Sequence, residues 1–148
     1  MRHEPLLSPL GLPCTPPPLG MLHAVDLRSG ELVWQVPLGT ITDLAKGIWA
    51  PKRWGSPNLG GPLVTGGLVF IGAGMDGRLR AFNLTTGETA WTAKLPASLQ
   101  STPMSYRTGN GHRQFIVIAA GGHDGMRSSL GDFIIAYALP TNEGVAAR

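Results

Sequence analysis

One string occurs twice in the chain, and it limits the possible folds more than any other feature. Leu22-His-Ala-Val-Asp-Leu-Arg-Ser-Gly-Glu-Leu-Val-Trp34 and Leu79-Arg-Ala-Phe-Asn-Leu-Thr-Thr-Gly-Glu-Thr-Ala-Trp91 both read L-x-A-x-[DN]-L-x-[ST]-G-E-x-x-W, and they stand 57 residues apart. A third, partial copy follows at Ile134-Ile-Ala-Tyr-Ala-Leu139, whose Ala136 stands 55 residues after Ala81. A fixed period of this kind marks a unit that stacks on copies of itself. Within each copy an alternating strand runs into a turn of Asp or Asn, then Ser or Thr, then Gly. Those side chains bond to the local backbone and the glycine tolerates positive φ, as a tight hairpin requires. The second strand of the hairpin carries the tryptophan. Small Ala24 and Ala81 leave room for a large ring, so Trp34 and Trp91 are expected to pack between units rather than to carry chemistry.

The stretch between the copies supplies the rest of a four-stranded unit. Gly60–Thr65 and Leu68–Ala73 are expected as its first two strands, Leu79–Asn83 and Thr89–Lys94 as its third and fourth. The next unit begins at Ser101–Tyr106, continues with Gln114–Ala120 and reaches its third strand at Phe133–Leu139; no fourth strand is expected. The first motif contributes only the outer half of a preceding unit. Four-stranded sheets repeated around an axis are blades of a β-propeller, and propellers close with about four to eight of them. The expected fold is therefore all-β: a partial β-propeller with one complete four-stranded blade and parts of two others.

Composition agrees. The chain has 21 glycines and 13 prolines among 148 residues, about twice the usual share. Apolar residues make up 43%, which is not the composition of a disordered chain. Charged residues are sparse at 14% with a net charge of +3, and no basic cluster exceeds Lys52-Arg53, so a nucleic-acid partner is not expected. The single cysteine, Cys14, leaves no internal disulfide and no cysteine-based zinc cage. Leu6–Leu12 is short and broken by proline, and no apolar run reaches the roughly 20 residues of a membrane span, so neither a signal peptide nor a spanning helix is evident.

Longer strings narrow the resemblance. They are Leu12-Pro-Cys14 with Pro16-Pro-Pro18, Trp54-Gly-Ser-Pro-Asn-Leu-Gly-Gly-Pro62, Leu95-Pro-Ala97 with Thr102-Pro-Met104, Ala120-Gly-Gly-His123, and Gly131-Asp-Phe-Ile-Ile-Ala-Tyr-Ala-Leu-Pro140. Together with the repeat, which is similar to a tryptophan-docking motif, they resemble the C-terminal part of the membrane-bound PQQ-dependent (quinoprotein) glucose, quinate and polyol dehydrogenases. On that resemblance residues 1–19 are a proline-rich lead-in, 20–140 the C-terminal blades of an eight-bladed propeller, and 141–148 a polar tail. One departure is Leu19, where that family often has tryptophan.

The resemblance implies an enzyme that oxidises a sugar or polyol hydroxyl with PQQ and calcium and passes electrons to ubiquinone. It implies a parent enzyme at the periplasmic face of the inner membrane. The main catalytic aspartate, the calcium ligands and most PQQ contacts are expected in other blades, so the partners are those remaining blades, ubiquinone and a small alcohol or sugar. The isolated chain is expected to be inactive, with no metal site of its own. A non-catalytic propeller fragment used in protein interaction is the alternative.

Three segments are expected on the ligand-facing end: the connection Pro37–Asn58 and the loops Gly72–Gly77 and Ala120–Gly125. Asp76 and His123 lie in those two loops and match positions near the active-site mouth of the family, where such a pair can orient a hydroxyl. Against this, Asp76-Gly77 is a common turn that Asp124 repeats, and His123 is equally suited to loop packing. Leu59 and Gly60 stand where the family brings a loop close to PQQ; glycine permits near approach of the backbone and leucine can flank a planar ring. A blade-entry turn with a buried leucine is the competing reading. Trp49 and Trp54, beside Lys52-Arg53, are expected in a packed loop. Gly72-Ala-Gly74 lacks the strand-to-helix context of a dinucleotide site.

Overall fold

The computed structural model describes residues 6–41, 51–109 and 113–138. Nine strands fall into three antiparallel sheets, each built from consecutive strands. The first pairs β1 (Met21–Val25) with β2 (Leu32–Pro37). The second runs in order through β3 (Leu63–Thr65), β4 (Leu68–Ile71), β5 (Arg78–Asn83) and β6 (Thr89–Lys94). The third joins β7 (Met104–Arg107), β8 (Gln114–Ala120) and β9 (Phe133–Ala138). This is the expected partial propeller, with one complete blade between parts of two others. Strand β3 is shorter than expected: Gly60 stands at φ 94° and Pro62 offers no N–H, so pairing starts only at Leu63. Trp49, Leu139 and the tail from Thr141 lie outside the described residues.

The repeated string folds the same way twice. Ala24 faces Trp34 and Ala81 faces Trp91 across their hairpins, and both ladders slip register at the next residue. In the first turn Asp26 Oδ1 accepts the Arg28 N–H at 2.7 Å, and Gly30 at φ 73° donates to the Asp26 carbonyl at 2.7 Å. In the second, Asn83 Oδ1 accepts the Thr85 N–H at 2.8 Å, and Gly87, also at φ 73°, donates to the Asn83 carbonyl at 2.9 Å. The Asp/Asn side chain thus starts the turn and the glycine closes it in the left-handed region.

The hydrophobic core lies between the sheets. Leu22 and Leu38 of the first unit meet Val69, Ile71, Ala73 and Phe82 of the second, with Trp34 and Val36 against them. Leu79, Leu95, Ala97 and Leu99 of the second meet Ile118 and Ala120 of the third, with Ile135 and Tyr137 alongside. Trp34 reaches forward: its Nε1 donates to the Leu84 carbonyl at 2.8 Å, and a Cβ on Gly87 would sit 2.7 Å from the ring. Trp91 reaches forward in the same sense to Tyr137, edge to face at 5.2 Å between centroids. Burial raises the Tyr137 phenol above its usual range. A polar tie joins the second and third sheets, where the Gln114 amide donates to Thr65 Oγ1 and Ser105 Oγ.

Candidate functional site

One end of the sheets gathers the expected segments around an open cavity of about 670 Å3. Pro57 comes from the connection after β2, Met75 from the loop after β4, and Gly125, Met126 and Arg127 from the loop after β8. The lead-in closes the remaining side with Leu7, Pro13, Cys14 and Leu19. Loops that join antiparallel strands at the same end of successive sheets must converge there, so the clustering follows from the topology.

The connection is held by a buried junction. Ser56 is fully buried, and its Oγ accepts the Met75 N–H at 3.1 Å. The Ser56 N–H donates to the Leu38 carbonyl at 2.8 Å, and the Leu19 N–H donates to the Trp54 carbonyl at 2.6 Å. Four glycines make this approach possible. A Cβ on Gly20 would overlap the Ser56 carbonyl, one on Gly55 the Gly20 carbonyl and one on Gly39 the Ser56 hydroxyl, while on Gly74 it would come within 2.9 Å of Gly39 Cα. Ser56→Ala leaves a buried Met75 N–H without its acceptor and is expected to cost about 1–2 kcal/mol, read by urea unfolding together with faster exchange of the Met75 amide.

Asp76 and His123 take different roles. The Asp76 side chain is 3% exposed and its carboxylate grips the Arg80 guanidinium with both oxygens, Arg80 being 13% exposed. That carboxylate is engaged inside the blade rather than displayed to solvent. Asp124, its counterpart in the repeat, is exposed and opens a short 3-10 turn, Asp124–Met126, so the two aspartates do not share one turn role. His123 is exposed and its ring lies over Gly125, where a Cβ would be 3.2 Å from Cε1. The loop around it is closed by the His123 N–H donating to Ser128 Oγ at 2.8 Å and by the Met126 N–H donating to the His123 carbonyl at 3.1 Å. No hydrogen bond joins Asp76 to His123 among the described residues.

Leu59 is 42% exposed and stands outside the cavity lining. Its N–H donates to Gln100 Oε1 at 3.1 Å, and the Gly61 N–H donates to Thr102 Oγ1 at 3.0 Å. Gly60 presses against the same strand entry: a Cβ there would be 3.0 Å from the Gln100 carbonyl. Gln100 Nε2 is buried with no hydrogen-bond partner. The Leu59 bond fixes the amide orientation, since a flipped amide would set donor against donor. Trp54 is half-buried in the 3-10 turn Lys52–Trp54. Sequence reasoning had not singled out Ser56, Arg80, Gln100 or Arg127. The Gly55-Ser56 pair, small residues inside a long connection, is the signal from which a close backbone crossing could have been read.

Among the described residues no group of three or more His, Cys, Asp or Glu side chains could hold a metal ion. Nor does any helix among them have the length and apolarity to cross a membrane.

The chain is 46% identical over 140 residues to quinoprotein glucose dehydrogenase A of Acinetobacter calcoaceticus, covering 93% of this chain and 17% of that protein. It is 45% identical over 139 residues to the quinate/shikimate dehydrogenase (quinone) of Acinetobacter baylyi, covering 90% and 17%. The chain thus spans about a sixth of the length of these relatives. In three dimensions it is similar to the quinohemoprotein alcohol dehydrogenase from Comamonas testosteroni, with a TM-score of 0.59 at 24% identity over 86% of this chain and 17% of that one, a likeness of fold. The family model for the PQQ glucose/ethanol/alcohol dehydrogenase beta-propeller domain matches residues 1–116, and the chain belongs to that family.

Proposed function

We propose that this chain forms one wall of the cofactor and substrate site of a PQQ-dependent dehydrogenase that oxidises a sugar or polyol hydroxyl. In this reading the electrons go to ubiquinone at the periplasmic face of the inner membrane, and the other blades supply the main catalytic aspartate and the calcium ligands. The observation that carries the reading is the convergence of the connection and both loops on one cavity.

The residues near Leu59 fit the cofactor. Leu59 offers an exposed apolar face, Gly60 packs the side that lacks a Cβ against the Gln100 backbone and so holds Leu59 at the blade entry, and Gln100 Nε2 is a buried donor lacking an acceptor. A flat tricarboxylic quinone carries many acceptor oxygens, so this donor is suited to its edge and Leu59 to its face. When bound, PQQ supplies the two-electron oxidant. The chain's own residues position it: Gln100 and Thr102 hold the Leu59–Gly61 backbone in place. His123 is an exposed side chain on the loop beside the cavity, and in this reading it orients a substrate hydroxyl by hydrogen bonding. Asp76, paired with Arg80, stiffens the neighbouring loop.

The test is a chimera of the Escherichia coli quinoprotein glucose dehydrogenase, which is 46% identical to this chain over 141 residues, with its matching stretch replaced by this chain. The chimera is expected to retain PQQ and to reduce a quinone-linked dye with glucose, glycerol or quinate, whereas the isolated chain with PQQ and calcium is not. A chimera that binds PQQ yet oxidises no alcohol overturns the reading. In the same background His123→Ala is expected to raise KM about tenfold while PQQ retention stays unchanged, a difference of roughly 1.4 kcal/mol. Unaltered KM would assign His123 to loop packing.

A further inference from the structure

A second depression, which shares no lining residue with the cavity described above, runs between the first and second sheets. It has a volume of about 530 Å3, with Val36 and Pro37 of β2 on one side, Arg80 and Phe82 of β5 on the other, and Lys52 and Arg53 of the 3-10 turn beside them. Alternation along β5 sets its charge. Arg78, Arg80 and Phe82 lie two residues apart and share one face, and Phe82 turns that face toward the first sheet by packing with Leu22 and Leu38. Across the ladder Arg78 stands opposite Lys94 and Arg80 opposite Thr92, so Lys94 lies on the same face.

Like charges set directly opposite each other weaken a sheet. Arg78 and Lys94 are nonetheless opposed, both are exposed, and neither makes an ion pair or hydrogen bond among the described residues; the same holds for Lys52 and Arg53. The trough itself holds one carboxylate among the described residues, Glu88, whose Oε2 accepts the Thr86 hydroxyl at 3.3 Å. Arg80 adds a second observation. Its two terminal nitrogens each give one N–H to Asp76, which fixes the guanidinium and leaves three of its five N–H donors without a partner among the described residues. Positive charge that is scattered in the sequence is thus gathered by the fold along one trough.

We propose that this trough docks an acidic segment of a partner polypeptide in extended conformation, its alternate carboxylates meeting Arg80 and the Arg78–Lys94 pair. Residues two apart on a strand recur about every 6.6 Å, so Arg78 and Arg80 present charge at the repeat with which an extended chain presents alternate acids. Lys52 and Arg53 hold the segment from the other side by charge complementarity. Nucleic acid phosphates also repeat at short spacing, but their bases need rings to stack on, and the one aromatic ring lining the trough, Phe82, is buried. A bilayer surface would bridge the rims and leave the half-buried Arg80 unreached.

The test uses the 148-residue chain labelled with 15N, the peptide acetyl-Glu-Thr-Glu-Thr-Glu-amide, and acetyl-Thr-Glu-Glu-Glu-Thr-amide as a control of equal charge. The alternating peptide is expected to shift the amides of residues 52–54, 78–80 and 92–94 saturably, about fivefold more tightly than the control and less tightly as salt is raised. Lys94→Glu is expected to remove the response while raising the urea midpoint, because the opposed cations become an ion pair. Arg53→Gln is expected to weaken binding and leave the midpoint unchanged. No saturable response, equal affinity for both peptides, or loss of neither affinity in the two variants overturns the proposal. So does tighter binding at these residues by inorganic phosphate, by oligothymidylate or by phosphatidylglycerol vesicles. Neither PQQ nor an alcohol enters the assay, so its result stands whether or not the chimera oxidises an alcohol.

Discussion

Asp76→Ala is expected to destabilise the chain by about 3–5 kcal/mol, a large share of the stability of a domain this size. Both partners of the Asp76–Arg80 pair are withdrawn from water, at 3% and 13% side-chain exposure. Removing the carboxylate leaves a guanidinium in a half-dry site with no counter-charge, and that penalty, rather than the worth of the pair itself, dominates the loss. Two controls separate these contributions. Asp76→Asn keeps the volume and one acceptor, so it should cost less than alanine. The double variant Asp76→Ala with Arg80→Leu removes both charges and should recover most of the loss, giving a coupling of several kcal/mol in a double-mutant cycle by urea unfolding. If Asp76→Ala instead left the unfolding midpoint unchanged, the carboxylate would be free to act on a substrate and its assignment to loop stiffening would fail.

Trp34→Ala is expected to cost about 2–3 kcal/mol, somewhat below the range for a fully buried tryptophan because the ring is only half-buried. Two losses add. The ring leaves the surface of Gly87 bare, and the Leu84 carbonyl loses the indole N–H that now reaches it at 2.8 Å. Trp34→Phe should restore most of the packing but not the hydrogen bond, and should recover all but about 1 kcal/mol. Gly87→Ala attacks the same contact from the other side, since it places a methyl 2.7 Å from the ring on a backbone at φ 73°. Trp91→Ala should cost less than Trp34→Ala: Trp91 is 39% exposed, and its contact with Tyr137 is a ring contact without a carbonyl. Equal losses for the two tryptophans would contradict this account.

What the sequence made legible is what repeats. Both hairpins, their turn residues and the alanine opposite each tryptophan could be read from one pattern, because local hydrogen bonds and side-chain size decide them. The strands of the complete blade could be placed for the same reason, apart from the late start of β3, where Gly60 is pressed against Gln100 by a contact between blades, and the end of β4 at Ile71, two residues before the expected Ala73. The convergence of the connection and the two loops at one end was also legible, since strand order dictates which loops share an end. The direction taken by individual side chains was not. Asp76 turns inward to Arg80 four residues on, while the residue four after Asp124 is Ser128 and Asp124 stays in solvent; the shared Asp-Gly pair drew attention away from that difference. Ser56, Gln100 and Arg127 escaped notice for a related reason, as each acquires its significance from partners or a cavity assembled by residues distant in sequence.

The forward reach of the tryptophans gives every junction between sheets a polarity. Each of the two hairpins extends an indole toward the following unit, which receives it with the Gly87 turn at the first junction and with the Tyr137 ring at the second, so the two sides of a blade are complementary to each other but not to themselves. A surface of that kind cannot pair with its own copy about a two-fold axis; it can only add head to tail, and head-to-tail addition ends either in a closed ring or in an open-ended stack. Which of the two occurs is decided by the rotation from one sheet to the next. A substitution that alters this rotation, with every hydrogen bond kept, would thus change how many blades complete a circle while leaving each blade as it is.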